Sequence, residues 1–488
     1  MTNLWETYKE ELWWSVLAIF TMSGYLLYYL NIGQNLWIYA FAVLVVGLAI
    51  LKFPQIGLYV IFFCTLIFER HFTLQTLVFR EIEYKLYPLD IVILIIILSI
   101  FLKFFAQHDK EENIIFNKFD YPIFLFGLSA TLSFIYAMLI RVDPATAFGA
   151  YKNYFLYAII YFIALVVLKT KEDWEKMMFW ITLGAGLMFY FLGYGLLTGH
   201  GLWSEYTPLS TAGERLIAGT HAFYFMIFGF WLTALYFWKK EEKKLFGKKE
   251  ILIAIFLILA ALLVSLVRHL WLALILILLL WLIFLPSNKK KILYNIFTRT
   301  ILVAVTASVV FIWLYGLFSG DFPSFINKYI YVFKERASIV NVVNLQDESF
   351  RWRISAWVAG LSLWQTSPVW GIGLGHQIVG YDELFFFDIP PRDLHNNYLG
   401  IFIQMGILGI LAVIYWFIYL LNSLQKIWLS VREKGDFNTQ LFFIWGNTVI
   451  LFMIVFFISV YWDINLFVIW WWLSLAAIRF LAKETENI

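Results

Sequence analysis

From Ile251 to Leu285 the chain is apolar except for Ser265, Arg268 and His269. As a single helix rising about 1.5 Å per residue, that run would be roughly 50 Å long, well beyond the roughly 30 Å of hydrocarbon in a bilayer. It is therefore read as two membrane helices folded back at the polar interruption, with Arg268 at a membrane surface. A single tilted helix would bury the arginine, which is costly unless the charge is paired.

The same test, about 20 apolar residues closed by charge, marks spans near 13–30, 36–51, 56–68, 86–104, 121–140, 154–168, 177–197, 216–238, 251–267, 270–285, 299–318, 398–421, 440–461 and 464–481. The third is short, as a tilted or re-entrant segment would be. With 62% hydrophobic and 14% charged residues, where a soluble domain is roughly a quarter charged, the fold class is all-α. The chain is a polytopic helical membrane protein of about twelve to fourteen transmembrane helices. Residues 1–488 are expected to form a single integral membrane domain, because neither a solenoid period nor a low-complexity linker divides them. The first helix is expected to stay as an anchor, since no small-residue cleavage site follows it.

Lysines cluster at alternate ends of the spans: Lys169, Lys171 and Lys176, the runs between Lys239 and Lys249, and Lys289 to Lys291. By the positive-inside rule that side is cytoplasmic and holds both termini. The opposite, outer side carries mainly arginines: Arg70, Arg80, Arg141, Arg215, Arg268, Arg336, Arg351, Arg353 and Arg392. Topology needs only positive charge, whereas bidentate recognition of phosphate favours arginine, so this face is read as built to hold phosphate. Pairing with Glu69, Glu81, Glu83, Asp143 or Glu348 is the alternative for any one of them.

A net charge of +3 without a recognition motif argues against nucleic acid. The single cysteine, Cys64, excludes an internal disulfide and a multi-cysteine metal site. HExxH and GxSxG patterns are absent, and no carboxylates are spaced for a divalent ion. No metal and no cofactor are expected.

The longest outer loop, 319–397, is expected to be partly helical. Its first part, with Lys328, Lys334, Glu335 and Arg336 among aromatics, resembles an interfacial helix. Its second part, Phe350 to Trp364, places Trp357, Leu361 and Trp364 at helical spacing behind Arg351 and Arg353. The run Pro368, Gly371, Gly373, Gly375 is read as a tight turn with backbone packed against a helix or ligand, since a phosphate loop would need a strand before it and a helix after it. His395 follows Pro390 and Pro391 and precedes the span near 398–421. It should sit at the outer interface on a helix terminus, suited to general-base chemistry or to capping the helix.

His395-Asn396, nine residues, Gly406, two residues, Gly409 resembles the HN-x9-G-x-x-G signature of the bacterial O-antigen ligase family. An arginine followed by tryptophan, and the Pro-x-x-Gly-x-Gly-x-Gly segment, resemble the wider ligase and polymerase superfamily. The turns around Arg268 and Arg215 resemble that family's two outer arginines. The resemblance covers roughly 211–409 and implies a GT-C-like membrane glycosyltransferase of the bacterial inner membrane with a periplasmic active site. Its donor would be an undecaprenyl-diphosphate-linked glycan and its acceptor lipid A-core. Arg215 and Arg268 would grip the diphosphate and His395 would serve as base. Arg351, Arg353, Asn396 and Tyr398 are expected on substrate, with Trp203, Tyr206 and Trp357 as candidate sugar-stacking faces. A polymerase of the same superfamily is the near alternative. A lipid-linked glycan transporter or flippase is the distant one, disfavoured because the spans are nearly free of charge.

Overall fold

The computed structural model describes residues 9–79, 82–84, 86–106, 117–198, 219–238, 247–265, 267–296, 298–299, 348–382, 387–392 and 394–486. Arg215, Trp203, Tyr206, nearly all of the span near 299–318 and the first part of the 319–397 loop lie outside these residues. In chain order the elements are α1 (Lys9–Ile32), α2 (Leu36–Lys52), α3 (Gln55–Phe68), α4 (Arg70–Thr73), β1 (Leu77–Phe79), β2 (Ile82–Tyr84), α5 (Pro88–Ala106), α6 (Tyr121–Leu139), α7 (Pro144–Tyr154), α8 (Ile159–Val167) and α9 (Lys171–Thr198). There follow α10 (Gly219–Trp238), α11 (Lys248–Val264), α12 (Arg268–Phe284), α13 (Glu348–Trp364), β3 (Ile378–Asp382), β4 (Phe387–Arg392), α14 (Asn397–Val431), α15 (Phe437–Val455) and α16 (Asn465–Glu486). Among the described residues, eight helical segments are long and apolar enough to cross a membrane, α7 and α8 counting together as Pro144–Val167. The chain is an all-α polytopic membrane protein decorated by two small hairpins.

The backbone groups into two compact units, one of residues 1–117, 156–204 and 464–476, the other of 118–155, 205–463 and 477–488. In the first, α3 is apolar all round and every residue from Ile56 to Phe68 is buried, so this short helix is internal to its unit. Glu11, 5% exposed, is buried with a partner: its carboxylate lies 2.5 Å from Lys176, as a buried charge requires.

The second unit holds every described candidate residue. Its α11–α12 turn falls where the polar interruption predicts it. Ser265 Oγ donates to the Leu262 carbonyl at 2.7 Å, and Trp271 Nε1 donates to the same oxygen at 2.7 Å. The expected helix over 350–364 is α13. The expected span near 154–168 is different: Asp143 caps Thr146 and Pro144 opens α7, which stops at Tyr154 before a short 3-10 turn and α8. Phe155 makes the break, its ring pressed so close to Gly127 that a Cβ there would lie 2.1 Å from it.

The hairpins were not legible from periodicity. In β3–β4, Tyr381 pairs with Asp388 and Asp382 with Phe387, with an irregularity between Ile378 and Gly380. Pro390 and Pro391 lie within β4, which a two-stranded ribbon tolerates because each strand is an edge.

The feature that positions the site is a break inside α14 at Gly406, whose backbone is left-handed at φ 68°. In a continuous helix the Ile403 carbonyl would bond the Ile407 amide. Here Ile372 N–H donates to the Ile403 carbonyl at 2.9 Å, and Ile407 N–H donates to Pro368 at 3.0 Å. Gly373 N–H and Ser133 Oγ both donate to the Gln404 carbonyl, at 3.0 and 2.8 Å. The expected glycine turn is thus a plug for a broken helix, packed backbone to backbone. A Cβ on Gly371 would lie 2.4 Å from Gln404, one on Gly373 2.9 Å from the Ala137 Cα, and one on Gly375 2.5 Å from the Ala147 Cα.

Gly371→Ala should therefore combine left-handed strain with overpacking, a loss of roughly 2 to 5 kcal/mol. Gly435→Ala, at φ 65° with its nearest contact an ordinary 3.5 Å, should show only the strain. Thermal melting of the purified proteins in detergent compares the two, and equal losses would refute the plug.

Candidate active site

His395 adopts φ 51°, a left-handed backbone that a residue with a Cβ takes only when its surroundings enforce it. Those surroundings are on α13. Trp357 Nε1 donates to the Leu394 carbonyl at 2.8 Å, which fixes the peptide just before His395. Trp352 meets the imidazole edge to face, with centroids 5.2 Å apart and planes at 89°. Gly360 allows α13 this close, since a Cβ there would stand 2.7 Å from Ile403 and 2.8 Å from Ile378. A small core of Ala356, Ile372, Ile378, Leu394 and Ile403 seals the contact. Trp357 is thus committed to the backbone beneath the site.

Arg351 and Arg353 are the neighbours of Trp352 in α13, so helical geometry sends them about 100° to either side of it. Both are half-buried. The pair straddles the tryptophan that faces His395.

Past His395 the chain is pinned residue by residue. Asn396 caps α14, accepting from Leu399 N–H at 3.0 Å. Asn397, 1% exposed, donates its backbone N–H to Phe456 at 2.8 Å. Its side chain accepts from Trp462 N–H at 3.1 Å and donates to the Asp463 carboxylate at 3.2 Å. Tyr398 donates its hydroxyl to the Met453 carbonyl at 2.7 Å.

Arg268 opens α12, and the next residue ties that helix to the same connection: His269 Nε2 lies 2.8 Å from the Tyr461 hydroxyl. Tyr461, Trp462 and Asp463 therefore hold the starts of both α12 and α14. Trp462 is fully buried and packs on Phe126 and Phe456 at centroid distances of 5.0 and 4.7 Å. Sequence reasoning passed over Asn397 and Asp463. Their signal was a polar, aromatic connection, Tyr461-Trp462-Asp463, between two long apolar runs.

His376, at the end of the glycine plug, is held below the usual histidine pKa of 6.5 by burial. Among the described residues, no group of three His, Cys, Asp or Glu side chains is placed to hold a metal ion. The arrangement offers an imidazole on a left-handed backbone against Trp352, two arginines flanking that tryptophan in α13 and a third at the start of α12.

Residues 253–414 match the family described as O-Antigen ligase. That segment contains Arg268, Arg351, Arg353, His395, Asn396 and Tyr398, and leaves out Arg215. No curated protein matches the chain.

Asn397→Leu should leave the buried Trp462 N–H without this partner, at about 1 to 3 kcal/mol, and remove one partner from the half-buried Asp463 carboxylate. A melting temperature equal to wild type would refute the role given to this connection. For His376 the unfolded chain binds the proton more readily, so its contribution is complete above about pH 6.5 and shrinks as pH falls below that value. His376→Gln should flatten the dependence of melting temperature between about pH 6.5 and 5.

Proposed function

From the match of residues 253–414 to the family described as O-Antigen ligase, we propose that the chain is an O-antigen ligase. It transfers a glycan from undecaprenyl diphosphate to a lipid A-core acceptor on the periplasmic face of the bacterial inner membrane. The observation that carries this reading is His395 held at φ 51° between Trp352 and Trp357, since strain of this kind collects where a side chain must be aimed.

In the proposed step, His395 takes the proton of the acceptor hydroxyl as that oxygen attacks the anomeric carbon. The bond from that carbon to the diphosphate oxygen breaks, and its electron pair leaves with undecaprenyl diphosphate. Attack opposite the leaving group inverts the anomeric centre. Arg215 and Arg268 stabilise the charge that grows on the diphosphate, where fixed cations contribute most, and the step calls on no metal. Arg351 and Arg353 hold the second donor phosphate or the acceptor's phosphates. Asn396 and Tyr398 act next to them on substrate, within the limits set by the bonds each already makes.

A broken membrane helix is also a mark of transporters, where unwound backbone lines a substrate path. In α14 the freed groups of Ile403 and Ile407 are taken by Ile372 and Pro368. That backbone is occupied by the protein itself, which supports catalysis at the membrane surface over passage through it.

Purified protein given a lipid-diphosphate glycan and two competing acceptors, core lipid A and a second lipid-linked repeat, should glycosylate core lipid A. Elongation of the lipid-linked repeat would identify a polymerase, and no product would restore the transporter. His395→Ala should lower the rate by about 100-fold to 10,000-fold with membrane insertion intact; normal transfer would remove it from the mechanism. Arg268→Lys, losing a charge-assisted hydrogen bond of the guanidinium fork, should cost about tenfold or more.

A further inference from the structure

At the far ends of α12 and α14 from His395 lies a cleft of about 490 Å³, lined by residues 283–288 with Lys290, Arg432 and Glu433. Pro286 opens a helix over 287–296; its carbonyl accepts the N–H groups of Lys289 and Lys290. The N–H groups of Ser287 and Asn288 therefore have no carbonyl within their own helix to bond, and both residues line the cleft. Arg432 stands across from them, at the end of α14. Its Nε is buried and makes no hydrogen bond, the Glu433 carboxylate being 3.6 Å away. Beside the cleft, burial and the charge of Lys248 hold Lys289 below the usual lysine pKa, so positive charge is already crowded here.

What leads into the cleft is apolar. Ile275, Leu279, Leu282 and Ile283 form an exposed stripe down α12, and Leu411, Ile414, Ile418 and Leu421 form one down α14. The spacing puts each set on one helix face. The two helices join at the cleft through Trp428, whose Nε1 donates to the Phe284 carbonyl at 3.2 Å.

Exposed aliphatic stripes ending in a polar, basic cleft match an amphiphile with a negatively charged head. We propose that this cleft binds the phosphate of an anionic phospholipid in the leaflet opposite His395. The head group is seated on Lys290, Arg432 and the helix start at Ser287, and the acyl chains lie along α12 and α14. Amides at a helix start and a guanidinium are the usual partners of phosphate, and basic pockets between membrane helices are suited to such head groups. Lys290 and Arg432 outnumber Glu433, the one acid in the lining, so the cleft is positive and poorly matched to the added cation of a zwitterionic lipid. The site is remote from the transferase groups, so neither reading rests on the other.

Delipidated full-length protein in detergent, titrated with phosphatidylglycerol or phosphatidylcholine and read by native mass spectrometry, tests the assignment. Wild type should bind phosphatidylglycerol in clear preference. The double variant Lys290→Gln, Arg432→Gln should bind it about thirtyfold more weakly, as loss of two basic contacts implies, while Lys483→Gln, a distant neutralisation, should bind like wild type. Equal binding of the two lipids by wild type, or undiminished binding by the double variant, would overturn the proposal. Displacement of the lipid by millimolar inorganic phosphate would make this a free-phosphate site and also overturn it. If the double variant melts below wild type without lipid, the wild-type competition alone decides.

Discussion

A peptide group inside a membrane has no water to bond, so each must find a partner within the protein. That requirement shapes the second unit around one place, the break at Gly406. Opening α14 frees the Ile403 carbonyl and the Ile407 amide, and the Pro368–Gly375 turn takes both. The turn can reach them only because it lacks side chains where it touches. Its three glycines each press on a different helix: Gly371 on α14, Gly373 on α6, Gly375 on α7. Filling the break with the chain's own backbone holds the short segment 397–405 at its own angle, and His395 stands at the head of that segment.

Around His395 the labour is divided by residue type. Tryptophans supply stiffness: Trp352 against the imidazole, Trp357 on the peptide before it, and Trp462 beneath the start of α14. Arginines supply charge, on α13 and at the start of α12. Asn397 and Asp463 join the two by turning the connection after α15 into a shared bracket. At the other end of the same helices the chemistry is simpler, a basic cleft on a lipid-facing surface. One helix pair thus reaches from His395 to the proposed lipid site.

Much of this was legible in the sequence wherever a polar residue interrupted an apolar run. The turn at Arg268 was, because three polar side chains stood alone in a stretch too long for one helix. The helix over 350–364 was, because its tryptophans and leucine recur at helical spacing. The glycine turn was recognised as backbone packing, though not as the plug for the helix over Asn397–Val431. The Gly406 break was hidden, since the residues around it are as apolar as any continuous span and its cause is a hydrogen-bond exchange with a distant loop. For the same reason the division of 144–167 at Phe155 was missed, as it depends on a ring meeting Gly127. Asp463 was overlooked because a single acid between two spans looks like solvent exposure until its partner Asn397 is known.

The left-handed backbone of His395 carries a consequence for anyone who would make this protein hardier. A residue with a Cβ is strained there, so the local route to greater stability runs through glycine or asparagine, which accept that conformation readily. Selection for heat resistance alone would push position 395 away from histidine. With His395 as the proposed base, stability and turnover would pull in opposite directions at this one residue, and a thermostability screen that ignores turnover would discard the imidazole first.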